Sequence, residues 1–199
     1  MLKPASINEK DNFIAGWYID KKVCDDLVKY FESDPNKKPG VLWWEGKNAV
    51  LPELKHSTDL SIKTYNQDIE IINYRNELQK VCDLYKKKYV YCDKYQGLWG
   101  VVNSWLIQRY NPNEGYFAEH YERNAGGSVN RHLVFMTYLN DVTDGGETEF
   151  LYQKLKIKPE KGLTIIWGAD WTFTHRGITS PTQKKYIATG WYEYSEFRA

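Results

Sequence analysis

A chain of 199 residues with 27 Lys and Arg against 26 Asp and Glu carries a formal charge of +1. It has no global field to recruit nucleic acid or an anionic membrane, so charge selectivity must be local to a site. Its 42% hydrophobic content suffices for one substantial core, and no window approaches the roughly 18 apolar residues of a membrane span.

Cys24, Cys82 and Cys92 are odd in number and lack C-x-x-C spacing, and the polar start shows no secretory signal; reduced thiols in the cytoplasm are the expectation. Phe13 to Ile19 then reads as an extended segment, and Asp20 stands where a helix N-cap belongs. Val23, Leu27, Tyr30 and Phe31 recur at helical spacing before Ser33-Asp34-Pro35, which predicts a helix from about 21 to 33. The following Pro-, Gly- and Lys-rich stretch carries Trp43-Trp44, read as half-buried packing in preference to a rim that grips a partner. His56 is expected to be exposed. Ile71, Tyr74, Leu78, Val81 and Tyr85 step by three and four, predicting a second helix of about 20 residues that ends in Lys86-Lys87-Lys88, cations suited to a helix C-terminus. After Gly97 come short β-prone runs at 101–110, 116–122, 131–139, 147–152, 163–167 and 185–194. Two helices followed by many short strands predict one α+β, mainly β, domain over 1–199, closed as a sandwich or jelly roll. Residues 1–99 are its support and substrate-loop region and 100–199 its catalytic core.

Within that core, His120-Tyr121-Glu122 falls in a run read as a strand. Residues i and i+2 of a strand share a face, so the triplet aims an imidazole and a carboxylate at one point. Such a triplet is common by itself. His175 lies downstream between two predicted strands, whereas His56 and His132 lack a suitable context. Two histidines and one carboxylate make the facial triad of non-haem Fe(II) oxygenases, which leaves coordination positions open.

Tyr110, His120-x-Glu122, the run RHLVFMTYL from Arg131 to Leu139, Gly145-Gly146-Glu147-Thr148-Glu149-Phe150, Pro159-x-x-Gly162, His175 and the strand Lys185 to Tyr192 occur in that order. Together they resemble the 2-oxoglutarate- and Fe(II)-dependent dioxygenases, in particular the prolyl 4-hydroxylase-like branch, closely over about residues 100–192 and loosely over the N-terminal helices. The resemblance implies a double-stranded β-helix holding Fe(II) through His120, Glu122 and His175, with 2-oxoglutarate and O₂ as co-substrates and ascorbate in a supporting role. It assigns Lys185, ten residues after His175, to the distal carboxylate of 2-oxoglutarate. Tyr110 and Tyr138 would hydrogen-bond the same co-substrate and Thr148 would line its cavity. Lys185, Ile187, Thr189 and Trp191 share a strand face, the resemblance implies that Trp191 also looks into the site, and Lys184 then faces solvent. Arg131 matches a family arginine on the substrate side of the metal, a structural salt bridge being an equal account. The family usually has Asp where this chain has Glu122, and the arm, one methylene longer, requires an adjustment of backbone or rotamer. Glu119 alternates to the opposite face. The implied reaction is hydroxylation of a proline in a peptide or protein, with release of succinate and CO₂. The same chemistry on a lysyl residue or small molecule, and a non-catalytic jelly-roll binding module, are the alternatives.

Overall fold

The computed structural model describes residues 2–7, 12–94, 97–125 and 127–195. Asp20 caps the first helix, its carboxylate accepting from the Lys22 amide at 2.8 Å, and α1 spans Lys21–Ser33. Its buried stripe is Cys24, Leu27 and Phe31, while Val23 and Tyr30 flank it half-buried. Helix α2, Ile69–Lys88, buries Ile71, Tyr74, Leu78, Val81, Cys82 and Tyr85 and places its three lysines in the last turn. Among the described residues no helix is long and apolar enough to cross a membrane.

The N-terminal half contributes short strands: β1 (Lys3–Pro4), β2 (Ala15–Tyr18), β3 (Lys38–Pro39), the hairpin β4 (Leu42–Trp44) and β5 (Lys47–Ala49), and β6 (Thr58–Lys63). Next come β7 (Trp99–Gly100), β8 (Ser104–Tyr110), β9 (Arg131–Tyr138), β10 (Thr148–Phe150) and β11 (Leu155–Ile157). The chain finishes with β12 (Leu163–Gly168), β13 (His175–Gly177) and β14 (Lys185–Tyr194). The main antiparallel sheet has the order β1-β2-β12-β9-β14-β8-β6-β3, with β7 beside β14, and β11-β10-β13 form a second, smaller sheet. The two sheets enclose a core between them, as in a jelly roll.

Strand period two distributes the side chains. Along β9, Leu133 and Phe135 join the core under the helices, whereas Val134, Met136 and Tyr138 join the core between the sheets. Along β14, Tyr186, Ala188 and Tyr192 face the helices and Ile187 and Trp191 face the smaller sheet. Thr137 lies on the helix side, where its hydroxyl meets those of Tyr74 at 2.9 Å and Thr164 at 2.8 Å, so a buried polar trio satisfies itself.

Three expectations need correction. Residues 116–122 form no strand: Tyr116 and His120 make only isolated bridges, to Lys55 and His175, because the partner segments are too short to extend a ladder. Trp43 and Trp44, expected to be half-buried in packing, sit on the β4–β5 hairpin with 59% and 45% of their surface exposed. His175 lies between β12 and β14 as expected, but it opens a further short strand, β13, that the predicted runs do not include. His56 is exposed, as expected.

Gly190 lies where β14 crosses the helix-side core, and a Cβ there would come within 2.6 Å of both the Phe135 ring and the Trp105 Cβ. The Trp105 Cβ is fixed to its strand and cannot swing away. Gly190→Ala is therefore expected to destabilise the fold by about 1–3 kcal/mol, the range of overpacked cores, and to lower Tm by several degrees in a thermal melt.

Candidate active site

Two imidazoles and one carboxylate converge where the loop after β8 crosses β13. The backbones of His120 and His175 exchange hydrogen bonds at 3.0 and 2.9 Å, and the Glu122 amide donates to the Ala169 carbonyl at 3.1 Å. These bonds replace the predicted strand as the device that aims the triplet. His120 Nδ1 lies 2.9 Å from the Ala118 carbonyl and His175 Nδ1 2.9 Å from that of Phe173. A carbonyl only accepts, so each Nδ1 carries the proton and each Nε2 presents a lone pair. Both Nε2 atoms point at Glu122 Oε1, at 3.5 and 3.7 Å, and ligand atoms of the three residues lie within 4.8 Å of one another. Tyr116 stacks on the His120 ring at 3.7 Å, and Phe150 and Trp167 pack around His175.

The charge states suit a cation. Burial opposes ionisation of Glu122, but hydrogen bonding and charge from His120, with His175 and Arg131, outweigh it and hold the carboxyl well below its usual range. Burial, then the neighbouring His120, lowers His175 to about 4, so it is neutral and able to ligate at physiological pH. Two imidazole Nε2 atoms and one carboxylate oxygen fit a divalent first-row metal, and the set matches the facial-triad composition. Glu119, as expected, points away, half-exposed, toward Arg176 at 3.7 Å.

From this cluster a cavity of about 510 Å³ runs between the two sheets. Lys185 and Thr148 line its wall, and Lys184 is exposed, so the strand register agrees with the expected alternation. Lys185 is 5% exposed and donates to the Gly146 carbonyl at 3.0 Å, and among the described residues no carboxylate lies within ion-pair distance. Gly145 and Gly146 have φ of +75° and +81°; a Cβ on Gly145 would meet the Thr179 carbonyl oxygen at 2.3 Å, so the turn that delivers this carbonyl requires glycine.

Other assignments shift. Tyr138 does not line the cavity: it is fully buried behind Thr148, its hydroxyl 2.7 Å from Thr148 Oγ1 and 3.2 Å from the Ile157 carbonyl. It supports Thr148 from behind. Tyr110 does line the cavity, with Lys185 Nζ 5.0 Å from its ring centre, but its hydroxyl donates to Gln108 Oε1 at 2.9 Å. Arg131 and Trp191 both line the cavity and both bond to Glu122, which favours the salt-bridge account of Arg131.

Sequence reasoning missed a buried network on the same wall. Lys55 pairs with Asp59 at 2.8 Å; Asp59 also accepts from Ser57 at 2.7 Å and from Gln108 at 2.9 Å, and Gln108 in turn accepts from Tyr110. The i, i+2 spacing of Gln108 and Tyr110 on β8 was a legible hint. The position of Lys55 and Asp59 opposite them depends on the β6–β8 pairing, which carries no local signal.

His120→Ala and His175→Ala are each expected to weaken Mn(II) binding by more than about 100-fold, beyond the range of changes one shell further out. Calorimetric titration, with circular dichroism to show the fold retained, checks this.

The family model described as the 2OG-Fe(II) oxygenase superfamily matches residues 105–193. No curated protein sequence is a match. Among solved structures, a viral collagen prolyl hydroxylase from Paramecium Bursaria Chlorella virus-1, in complex with 2OG, is 20% identical, with 93% of this chain and 98% of that one covered and a TM-score of 0.63. A Pseudomonas putida prolyl-4-hydroxylase is 13% identical, with 94% and 95% covered and a TM-score of 0.69. A Trichoplax adhaerens prolyl hydroxylase, in complex with a hypoxia inducible factor peptide fragment, is 16% identical, with 92% and 84% covered and a TM-score of 0.69. At these identities the structures establish a shared fold. The family match lies over the strands and loop that carry the His-Glu-His cluster, and the chain shares its jelly-roll fold with prolyl hydroxylases, so this region is similar to the 2-oxoglutarate- and Fe(II)-dependent oxygenases.

Proposed function

We propose that this protein is such an oxygenase and hydroxylates a proline in a peptide or protein, with Fe(II) held by His120, Glu122 and His175 and 2-oxoglutarate by Lys185 and Thr148. One observation carries the reading: a single cavity has a convergent His-Glu-His donor set and also a buried lysine that, among the described residues, has no carboxylate within ion-pair distance. A buried unpaired ammonium is costly, and a ligand carboxylate removes the cost. Trp167 Nε1, buried on the same lining without an acceptor, is a further donor available to a polar ligand. Tyr110 contributes its ring face and the Lys55–Asp59–Gln108 network holds that ring in place.

When bound, the iron supplies O₂ activation coupled to oxidative decarboxylation of 2-oxoglutarate to succinate and CO₂. The protein's own contributions are binding, orientation and exclusion of water. The apolar wall of Met136, Ile187 and Trp167 keeps the interior dry, while the partly exposed Val41, Trp43 and Tyr121 give the entrance the apolar, aromatic character that suits a prolyl ring. The β4–β5 hairpin and Lys55 belong to residues 1–99, so that region supplies cavity wall as well as helical support to the single domain proposed for 1–199. Three free cysteines support a reducing, cytoplasmic setting.

Incubation with a proline-containing peptide, Fe(II), 2-oxoglutarate and ascorbate should add one oxygen to the peptide and release succinate in equal amount, both read by mass spectrometry. Succinate release with every such peptide unmodified would instead favour a lysyl or small-molecule target. No iron-dependent succinate at all would favour the binding module.

Lys185 gives the co-substrate a pH signature. Burial lowers its pKa to about 8, with Glu147 opposing. A bound dianion raises that pKa again, so binding takes up a proton above pH 8. Affinity should be flat below about pH 7 and fall by up to tenfold per unit above pH 8. Lys185→Met should weaken 2-oxoglutarate by about 30-fold or more and leave Tm unchanged or raised, because it deletes a buried charge. Lys184→Ala should change affinity by less than about threefold. Titration calorimetry across pH, with thermal melts, measures all three.

A further inference from the structure

The two oxygens of Glu122 have different surroundings. Oε2 accepts from the Trp191 indole Nε1 at 2.8 Å and from an Arg131 guanidinium nitrogen at 3.2 Å, and the same nitrogen donates to the Glu122 carbonyl at 2.9 Å. The guanidinium carbon lies 3.6 Å from the centre of the Trp191 ring, and Arg131 Nε is 3.7 Å from Glu193 Oε1. Indole, guanidinium and Glu193 thus brace one another. Oε1, by contrast, faces the two imidazole Nε2 atoms, at 3.5 and 3.7 Å, and has no guanidinium or indole donor among the described residues.

We infer that Trp191 and Arg131 are positioning residues that clamp Oε2 of Glu122, so that Oε1 alone is presented to the metal, and that this clamp is what lets a glutamate serve at the carboxylate position. The inference rests on the reading of His120, Glu122 and His175 as the metal site. A glutamate has one more rotatable bond than an aspartate, and ordering that arm costs side-chain entropy. An unclamped arm could also turn both oxygens toward the ion and occupy a position that the open triad needs for co-substrate and O₂. Hydrogen bonds to the far oxygen oppose both effects. The clamp comes from three elements that are remote in sequence: Glu122 from the loop before β9, Arg131 from the first residue of β9, and Trp191 from β14. The β9–β14 pairing sets Trp191 opposite Val134 and Arg131 opposite Glu193.

The test is a double-mutant cycle read by Mn(II) affinity of the full chain, with no turnover involved. Trp191→Phe removes the indole N–H and keeps a ring under Arg131. It should weaken Mn(II) binding by about 10-fold or more, as outer-shell partners do. Glu122→Asp should also weaken it, because the shorter arm cannot reach both the indole and the ion. In the Glu122→Asp background, Trp191→Phe should then cost less than about threefold, since the hydrogen bond it deletes is already lost. If Trp191→Phe binds as tightly as wild type, or loses the same factor in both backgrounds, the clamp is overturned while the metal site stands. If wild type does not bind Mn(II), or His175→Ala binds it equally well, the metal-site reading fails and the clamp with it. Unaltered Mn(II) affinity in Glu122→Asp would also overturn the clamp, by showing that the arm length and its tether are immaterial.

Discussion

Strand β14 is paired on both sides, with β8 through Lys185 to Thr189 and with β9 through Ile187 to Glu193. A one-residue slip in either ladder would exchange its two faces. Lys185, Ile187, Thr189 and Trp191 would turn toward the helices, and Tyr186, Ala188 and Tyr192 would turn into the cavity. The slip is resisted because both faces are buried against different partners, one against α1 and α2 and the other against the smaller sheet. Gly190 adds to the constraint, since the space between Phe135 and Trp105 accepts no side chain. Lys185 and Trp191 are therefore placed by the same packing that stabilises the fold.

The charges lining the cavity are unbalanced in a way that accounts for its ligands. Glu122 is the acidic residue on the lining, whereas Lys55, Arg131 and Lys185 are cationic. Lys55 is neutralised by Asp59, and Arg131 is shared between Glu122 and Glu193. Lys185 is left over, and its pKa is lowered by burial for want of a partner. With the proposed divalent cation among His120, Glu122 and His175 and a dicarboxylate reaching Lys185, this interior would come close to neutrality. Each ligand improves the setting of the other, because a buried charge is tolerated chiefly when paired.

The helices contribute rigidity to the main sheet and no group to the chemistry. Tyr74 of α2 reaches the sheet through a buried hydrogen bond to Thr137, and Glu32 of α1 reaches it through Tyr186 and Arg109. The hairpin that carries Trp43 and Trp44 differs: much of its aromatic surface is exposed and Trp43 lines the cavity, where half-buried packing was the expectation. A tryptophan at a cavity entrance and one in a core have the same side chain, and local sequence holds no term for the solvent on its other side.

Both helices, with the Asp20 cap, and the strands at 131–138, 163–168 and 185–194 were determined by the sequence itself, since capping and side-chain period act over a few neighbouring residues. The same period placed Lys185 and Trp191 inward and Lys184 outward, and the order of the motifs singled out His120, Glu122 and His175, which the structure brings together. Tertiary structure decided the rest. His120 and Glu122 share a focus because of isolated bridges to His175 and Ala169, and a strand periodicity gave the right answer for residues that form no strand. Tyr138 lies behind Thr148, Tyr110 is tied to Gln108, and Lys55 meets Asp59 on the cavity wall. Each of these depends on which strands pair and in what register, and that is settled by the summed burial of both sheet faces, a quantity no single segment of the chain contains.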